Sequence, residues 1–201
     1  MASHADDFDA RSGRGSARGA RTRARIREGA MALLRARPAG DVSVSEIARE
    51  AGVYPNQITH HFGSKDALFV EAAFTLLLQD AERLQSSARR MRTPEAFSEA
   101  IARTALVVPS IPLVVRALAV ASGNAALHGK IQSAMSILFR QSERFLERTL
   151  VERGWVTSHG VERDVRTFWS AVFGAVLMSR AGVPGGPSDI DVAATLTIGT
   201  A

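Results

Sequence analysis

The sequence predicts an all-α protein of about nine helices, on three observations. Apolar residues recur at spacings of three and four along most of the chain. Pro, Gly and Ser/Thr punctuate that pattern at intervals matching ordinary helix lengths. No stretch alternates convincingly with the two-residue period of a strand, and no internal repeat stands out.

The elements follow in order. Residues 1 to 20 are mainly Gly, Ser, Ala, Arg and Asp and are expected to be a disordered basic arm. A helix begins near Thr22, with Ile26, Ala30, Leu33 and Leu34 on one side, and stops before Pro38-Ala39-Gly40. Residues 43 to 68, SVSEIAREAGVYPNQITHHFGSKDAL, then read as two short helices around a tight turn. Ser43 and Glu46 have the spacing of a capping box. Gly52 falls where a left-handed helix end is needed, and Pro55 falls in the first turn of the second helix. Ile58 and Phe62 give that second helix one apolar edge.

A long amphipathic helix starts at Ser64 as N-cap and runs to about Arg92, with Leu68, Phe69, Ala72, Leu76, Leu77 and Leu84 inward. Thr93-Pro94 opens the next helix, which carries Phe97 and Ile101 and ends at Pro109. Pro112 opens another, closed near Gly123. A long helix from about Leu127 to Arg153 and a last major one from about Val161 to Arg180 follow. Gly182 to Pro187 breaks the pattern, and a short helix is expected from Ser188. The implied domains are a helix-turn-helix unit over 21–66 and a larger helical unit over 67–201.

Charge is distributed unevenly. The chain carries a formal +5 and no cysteine. Residues 11 to 65 hold ten arginines and Lys65 against Glu28, Asp41, Glu46 and Glu50, a net +7, while the remainder nearly balances. A basic excess around a helix-turn-helix is what phosphate binding requires. The absence of cysteine excludes disulfides and thiolate metal sites. The acidic start, MASHADDFDA, has no apolar signal region, and no apolar run could span a bilayer. The expectation is a cytoplasmic protein without a membrane segment.

The second short helix carries Asn56, Gln57, Thr59, His60 and His61 around its apolar edge, a face suited to a DNA major groove. His60 and His61 do not read as a metal site: adjacent helical residues point about 100° apart, and no third ligand stands at a useful spacing. No metal or cofactor is expected. Nor is there an HExxH, a phosphate loop or a nucleophile elbow, which weighs against an enzyme on a helical scaffold.

VSVSEIAREAGV followed by HHFGSKDAL resembles the TetR family of one-component bacterial regulators, over about Ile26 to Leu68. The remainder is similar to the family only in length and helicity. The resemblance implies a three-helix DNA-binding domain on a larger ligand-binding and dimerisation domain. It also implies a homodimer that binds double-stranded operator DNA until a small-molecule effector relieves it. By position, Ser43 and Ser45 would approach phosphate, Asn56 and Gln57 would read bases, and His61 and Lys65 would hold phosphates. Thr59 stands where the family commonly has Tyr, and Tyr54-Pro55 is unusual; Tyr54 is a candidate for the missing contact.

Three further readings stay open at this point. Arg11, Arg14, Arg18, Arg21 and Arg23 suit either a minor-groove arm or a solvated tail. Phe69, Phe74, Leu78, Phe97 and Ile101 suit either an effector pocket or plain core, and Arg116 either an anionic ligand or the surface. Leu138, Phe145, Phe168, Trp169, Val172, Phe173 and Val176 suit either a dimer interface or the centre of the monomer, and the interface is preferred because a palindrome reader needs a twofold axis. A DNA-binding dimer without an effector remains the alternative function.

Overall fold

A computed structural model describes residues 5–37, 41–184 and 190–200. Pro38, Ala39, Gly40 and Ser188, together with the side chains of Arg11 and Arg14 and part of the Gly182–Pro187 break, lie outside the described residues. Among the described residues there are eight α-helices: α1 Ala5–Ala36, α2 Val44–Ala51, α3 Pro55–Phe62, α4 Lys65–Ala88, α5 Pro94–Val107, α6 Ile111–Ser122, α7 His128–Arg153 and α8 Val161–Arg180. Two strands, β1 Trp155–Thr157 and β2 Ile198–Thr200, complete the order. The chain divides into two compact units between Ala72 and Ala73.

The first unit is built on α1, α2, α3 and the start of α4. Its core joins Ile26, Ala30 and Leu34 of α1 to Ile47 and Ala51 of α2, Ile58 and Phe62 of α3, and Leu68 of α4. Helix α1 and α2 cross closely at Gly29, where a Cβ would meet the Ala51 nitrogen at 3.2 Å. Helix α1 also runs back to Ala5, so backbone expected to be disordered is helical from there. Extending an existing helix needs no new nucleus, and Ala and Arg are strong helix formers.

The second unit packs α5 to α8 around Phe97, Ile111, Val114, Leu138 and Val172, all essentially buried. Thr93 caps α5, accepting from the Ala96 N–H at 3.2 Å. Helix α4 ends at Ala88, one turn short of the expected end near Arg92. The Arg153 guanidinium donates to the Arg89 carbonyl at 2.7 Å and to that of Met91, holding the exposed end of the helix. Among the described residues no single helix is long and apolar enough to cross a membrane. Helices α5 and α6 pass by composition only as a pair, bent by 68° at their junction.

In place of an uninterrupted loop and a final helix, β1 and β2 pair antiparallel, Trp155 opposite Thr200 and Thr157 opposite Ile198. Among the described residues a short 3-10 turn, Ala193–Thr195, precedes β2. Three-residue strands are too short for alternation to register in the sequence. Their anchor is Asp164 at the start of α8, 1% exposed. It accepts from the Thr157 hydroxyl at 2.7 Å and from the Thr197 N–H at 2.8 Å. The Thr197 hydroxyl also donates to it at 3.0 Å. Asp164→Ala strands these donors at roughly 1–3 kcal/mol each where they stay dry. The urea midpoint should fall clearly, with Asp164→Asn intermediate because its carbonyl still accepts. A midpoint unchanged in Asp164→Ala would refute this anchoring role.

Candidate nucleic-acid interface

Helix α2 starts as its sequence requires. The Ser43 hydroxyl accepts from the Glu46 N–H at 3.2 Å, and the Glu46 carboxylate accepts from the Ser43 N–H at 2.8 Å. Arg37 donates to the other Glu46 oxygen at 2.6 Å. The backbone N–H of Ser43, then Arg37 and the Ser43 hydroxyl, pull the carboxyl down to about 2. Gly52 ends the helix at φ 61°, the left-handed region that a residue without Cβ enters cheaply. The Arg25 guanidinium donates to the Ala51 and Gly52 carbonyls at 2.6 and 2.9 Å. The turn is therefore held from α1 as well as by its own glycine.

Helix α3 follows with Pro55 in its first turn and no side-chain cap from Tyr54. Ile58 and Phe62 are buried. Asn56, Thr59 and His60 are exposed, while Gln57 and His61 are half-buried. Tyr54 is 78% exposed, an unusual state for a tyrosine. Ser43, Ser45 and Lys65 are also exposed. The Ser64 hydroxyl accepts from the Ala67 N–H at 3.0 Å and opens α4 as expected. All nine candidate residues belong to the first unit, on three consecutive elements braced by the same core.

Sequence reasoning missed the brace itself. Arg23, grouped with the flexible arm, stacks its guanidinium 4.1 Å from the centre of the Phe62 ring. It also donates to the His61 carbonyl and pairs with Glu71. Arg27 approaches the same carboxylate at 3.5 Å. Arg23 is thus a clamp on the end of α3, and only Arg18 and Arg21 of that group are exposed among the described residues. The spacing from Arg23 to Glu71 spans 48 residues, beyond any local signal.

His61 also differs from a plain phosphate cation. Its pKa is lowered by desolvation and then by the nearby His60 and Arg23 charges, so the ring is mainly neutral at neutral pH. A phosphate beside it would favour the imidazolium and raise that pKa. With such a contact, DNA binding would take up a proton, and affinity would rise as pH falls from neutral through the ordinary imidazole range. Specific affinity at pH 7.5 and 6.0 should show this gain, with a shallower slope in His61→Gln. Equal slopes would remove His61 from the phosphate contacts. Among the described residues no cluster of three or more His, Asp or Glu could hold a metal ion.

In the second unit, Phe97 and Ile101 do line a cavity, together with Leu84, Phe145, Phe168 and Trp169. It holds about 60 Å³ and is almost wholly apolar. Phe69, Phe74 and Arg116 are not among its walls. Phe74 is core, Phe69 and Arg116 are half-buried, and each of the last two is engaged with its surroundings. Of the residues considered for a dimer interface, Leu138, Phe168, Trp169, Val172, Phe173 and Val176 are already covered within one chain. Phe145 is half-buried and stacks on Phe97 with centroids 6.1 Å apart. The wide apolar face of α8 is accounted for by α5, α6 and α7 of the same chain, which leaves these side chains little surface for a partner to cover.

Comparison with known proteins agrees with this arrangement. Residues 26–72 match the family model for bacterial regulatory proteins of the tetR family. Residues 94–197, just over half of the chain, match the model for the bacterial transcriptional repressor C-terminal domain. The HTH-type transcriptional regulator BetI of Brucella anthropi is 39% identical over 61 residues, 30% of this chain; the match spans only 31% of that relative. A crystal structure from Rhodococcus sp. RHA1, described provisionally as a transcriptional regulator, has a TM-score of 0.69 at 29% identity, covering 86% of this chain and 91% of its own. Thermus thermophilus FadR, a TetR-family transcriptional repressor solved with lauroyl-CoA, has a TM-score of 0.57 at 20% identity, covering 86% and 88%. At that identity the likeness shows the fold alone. With both models matched in order along one chain, the protein belongs to the TetR family of bacterial transcriptional regulators.

Proposed function

We propose that the protein is a repressor that binds a pseudo-palindromic operator as a homodimer and is released by a small-molecule effector. The observation that carries the reading is the outward face of α3. Asn56, Thr59 and His60 are exposed there, over a helix fixed by buried Ile58 and Phe62. An amide can pair bidentately with adenine in the major groove. Ser43, Ser45, Tyr54, His61 and Lys65 surround that helix as phosphate or sugar contacts, and a cytoplasmic location follows from the role.

A twofold axis would place two such helices one turn of DNA apart, about 34 Å. The remaining apolar surface of α7 and α8 suits the partner: Ile137, Leu177 and Met178 are 38%, 52% and 42% exposed. Leu177→Glu with Met178→Glu should give a monomer by sedimentation and abolish the specific complex. The direct test is a mobility-shift assay on the DNA upstream of the protein's own coding sequence, backed by selection from random sequence. No salt-sensitive specific complex in either would defeat the proposal.

Effector release is proposed to act through the aromatic cavity. A ligand shifts the balance between conformers only by binding one of them better than the other. A second reading, a DNA-binding dimer without effector, draws support from one observation: the cavity is small, about 60 Å³.

A further inference from the structure

The aromatic cavity shares a wall with a second concavity. An open groove of about 630 Å³ runs along α4 and α7, bordered by Glu82, Gln141, Arg144, Glu147 and Arg148. Ala81 and Gln85 line both spaces. Alanine has nothing to move, so Gln85 is the partition. It is half-buried, and its amide makes no hydrogen bond among the described residues.

The cavity lining contains no charged side chain. Its other polar side-chain groups are occupied: the Ser142 hydroxyl donates to the Leu138 carbonyl at 2.9 Å and receives the Trp169 indole N–H at 3.0 Å. An ionised group entering this space would lose its hydration with no counter-charge, a cost of several kcal/mol. The groove does not restore a preference for either sign, because two arginines and two glutamates border it and all four are exposed. Phe97, Phe145, Phe168 and Trp169 instead offer ring faces and edges to a flat apolar body.

Size sets the second condition. At about 60 Å³ the cavity is below the roughly 150 Å³ that accommodates benzene in a dry protein interior. Rotation of the unbonded Gln85 amide towards the groove would join the two spaces and provide the missing room. In that position the amide, which both donates and accepts, meets whatever polar group the occupant carries.

Resting on the effector reading above, we propose that the cavity takes a small uncharged ring compound bearing one hydroxyl or carbonyl group, and that Gln85 gates the cavity and reads that group. Gln85 is then the specificity-determining residue of the effector site.

Four probes sharing one ring test this: benzyl alcohol, toluene, benzoate and benzylamine, titrated calorimetrically into the full chain at pH 7.5. Benzyl alcohol should bind most tightly, with benzoate and benzylamine at least tenfold weaker. Gln85→Leu should weaken benzyl alcohol about three- to tenfold, one hydrogen bond's worth, and leave toluene as tight or tighter. Gln85→Glu should bring benzylamine ahead of benzoate, and it serves as the second variant should Gln85→Leu fold poorly by circular dichroism. Benzoate or benzylamine binding as tightly as the alcohol, a preference for benzyl alcohol over toluene that survives Gln85→Leu, or no binding by any probe up to its solubility would each overturn the proposal. The same probes in the mobility-shift assay separate the two readings. Alcohol binding without operator release keeps the ligand class and removes effector relief. Release by a charged compound, with no alcohol binding, keeps effector relief and removes the ligand class.

Discussion

Alanine at both Asn56 and Gln57 is expected to lower operator affinity by at least a hundredfold while leaving affinity for random DNA nearly unchanged. Each bidentate amide–base contact discriminates by roughly 1–3 kcal/mol, and a dimer makes every contact twice. Phosphate contacts carry no sequence information, so the basic and hydroxyl side chains around α3 still deliver the non-specific complex. Asn56 is exposed, so its removal should hardly change the melting temperature. Gln57 is half-buried, and single variants divide any stability cost from the recognition cost. Lys65→Ala is the matched control: it should weaken both complexes and make the salt dependence shallower, about one counterion fewer per half-site. Titrations on operator and random duplexes at two salt concentrations read all of this. A parallel loss on both DNAs in the double variant would mean that the two amides are not base readers.

The contrast between Asn56 and Arg23 shows how far the sequence reaches. Local chemistry was legible wherever partners lie within four residues. Ser43 with Glu46, Gly52 at its left-handed φ, Ser64 and Thr93 all occupy the caps their spacing implies. Periodicity likewise placed Ile58 and Phe62 inward, which leaves Asn56 outward by geometry alone. Arg23 defeats such reading because its meaning depends on Phe62 and Glu71, distant in sequence. Arg25 is similar, since the carbonyls it holds belong to α2. The β1–β2 pair joins segments some forty residues apart through strands too short to show a period. Helix α8 is a different case. Its broad apolar face correctly signalled cover on two sides, but composition does not say whether that cover comes from the same chain or a partner. The burial of Val172 and Trp169 within one chain answers that for those side chains.

Phe97→Ala should produce the largest stability loss in the second unit, roughly 3–5 kcal/mol. The ring is 0% exposed and is engaged on two sides. Phe145 stacks on it at 6.1 Å, and Trp155 meets it edge-on at 5.7 Å. Arg153, whose guanidinium holds the end of α4, lies over both Phe97 and Trp155 at 6.0 and 4.8 Å. Removing the ring therefore enlarges an existing cavity and withdraws support from the Trp155 end of β1. Folded domains are stable by only about 5–15 kcal/mol, so this is a large fraction of the total. Both tryptophans, Trp155 and Trp169, belong to the second unit, so fluorescence in urea follows that unit separately from the DNA-binding one. Phe97→Leu keeps most of the volume and should cost visibly less. A midpoint for Phe97→Ala within about 1 kcal/mol of the native protein would show that its neighbours collapse into the space. The aromatic stack would then be dispensable to the unit, and the ring-compound probes should find no added room and bind no more tightly than to the native protein.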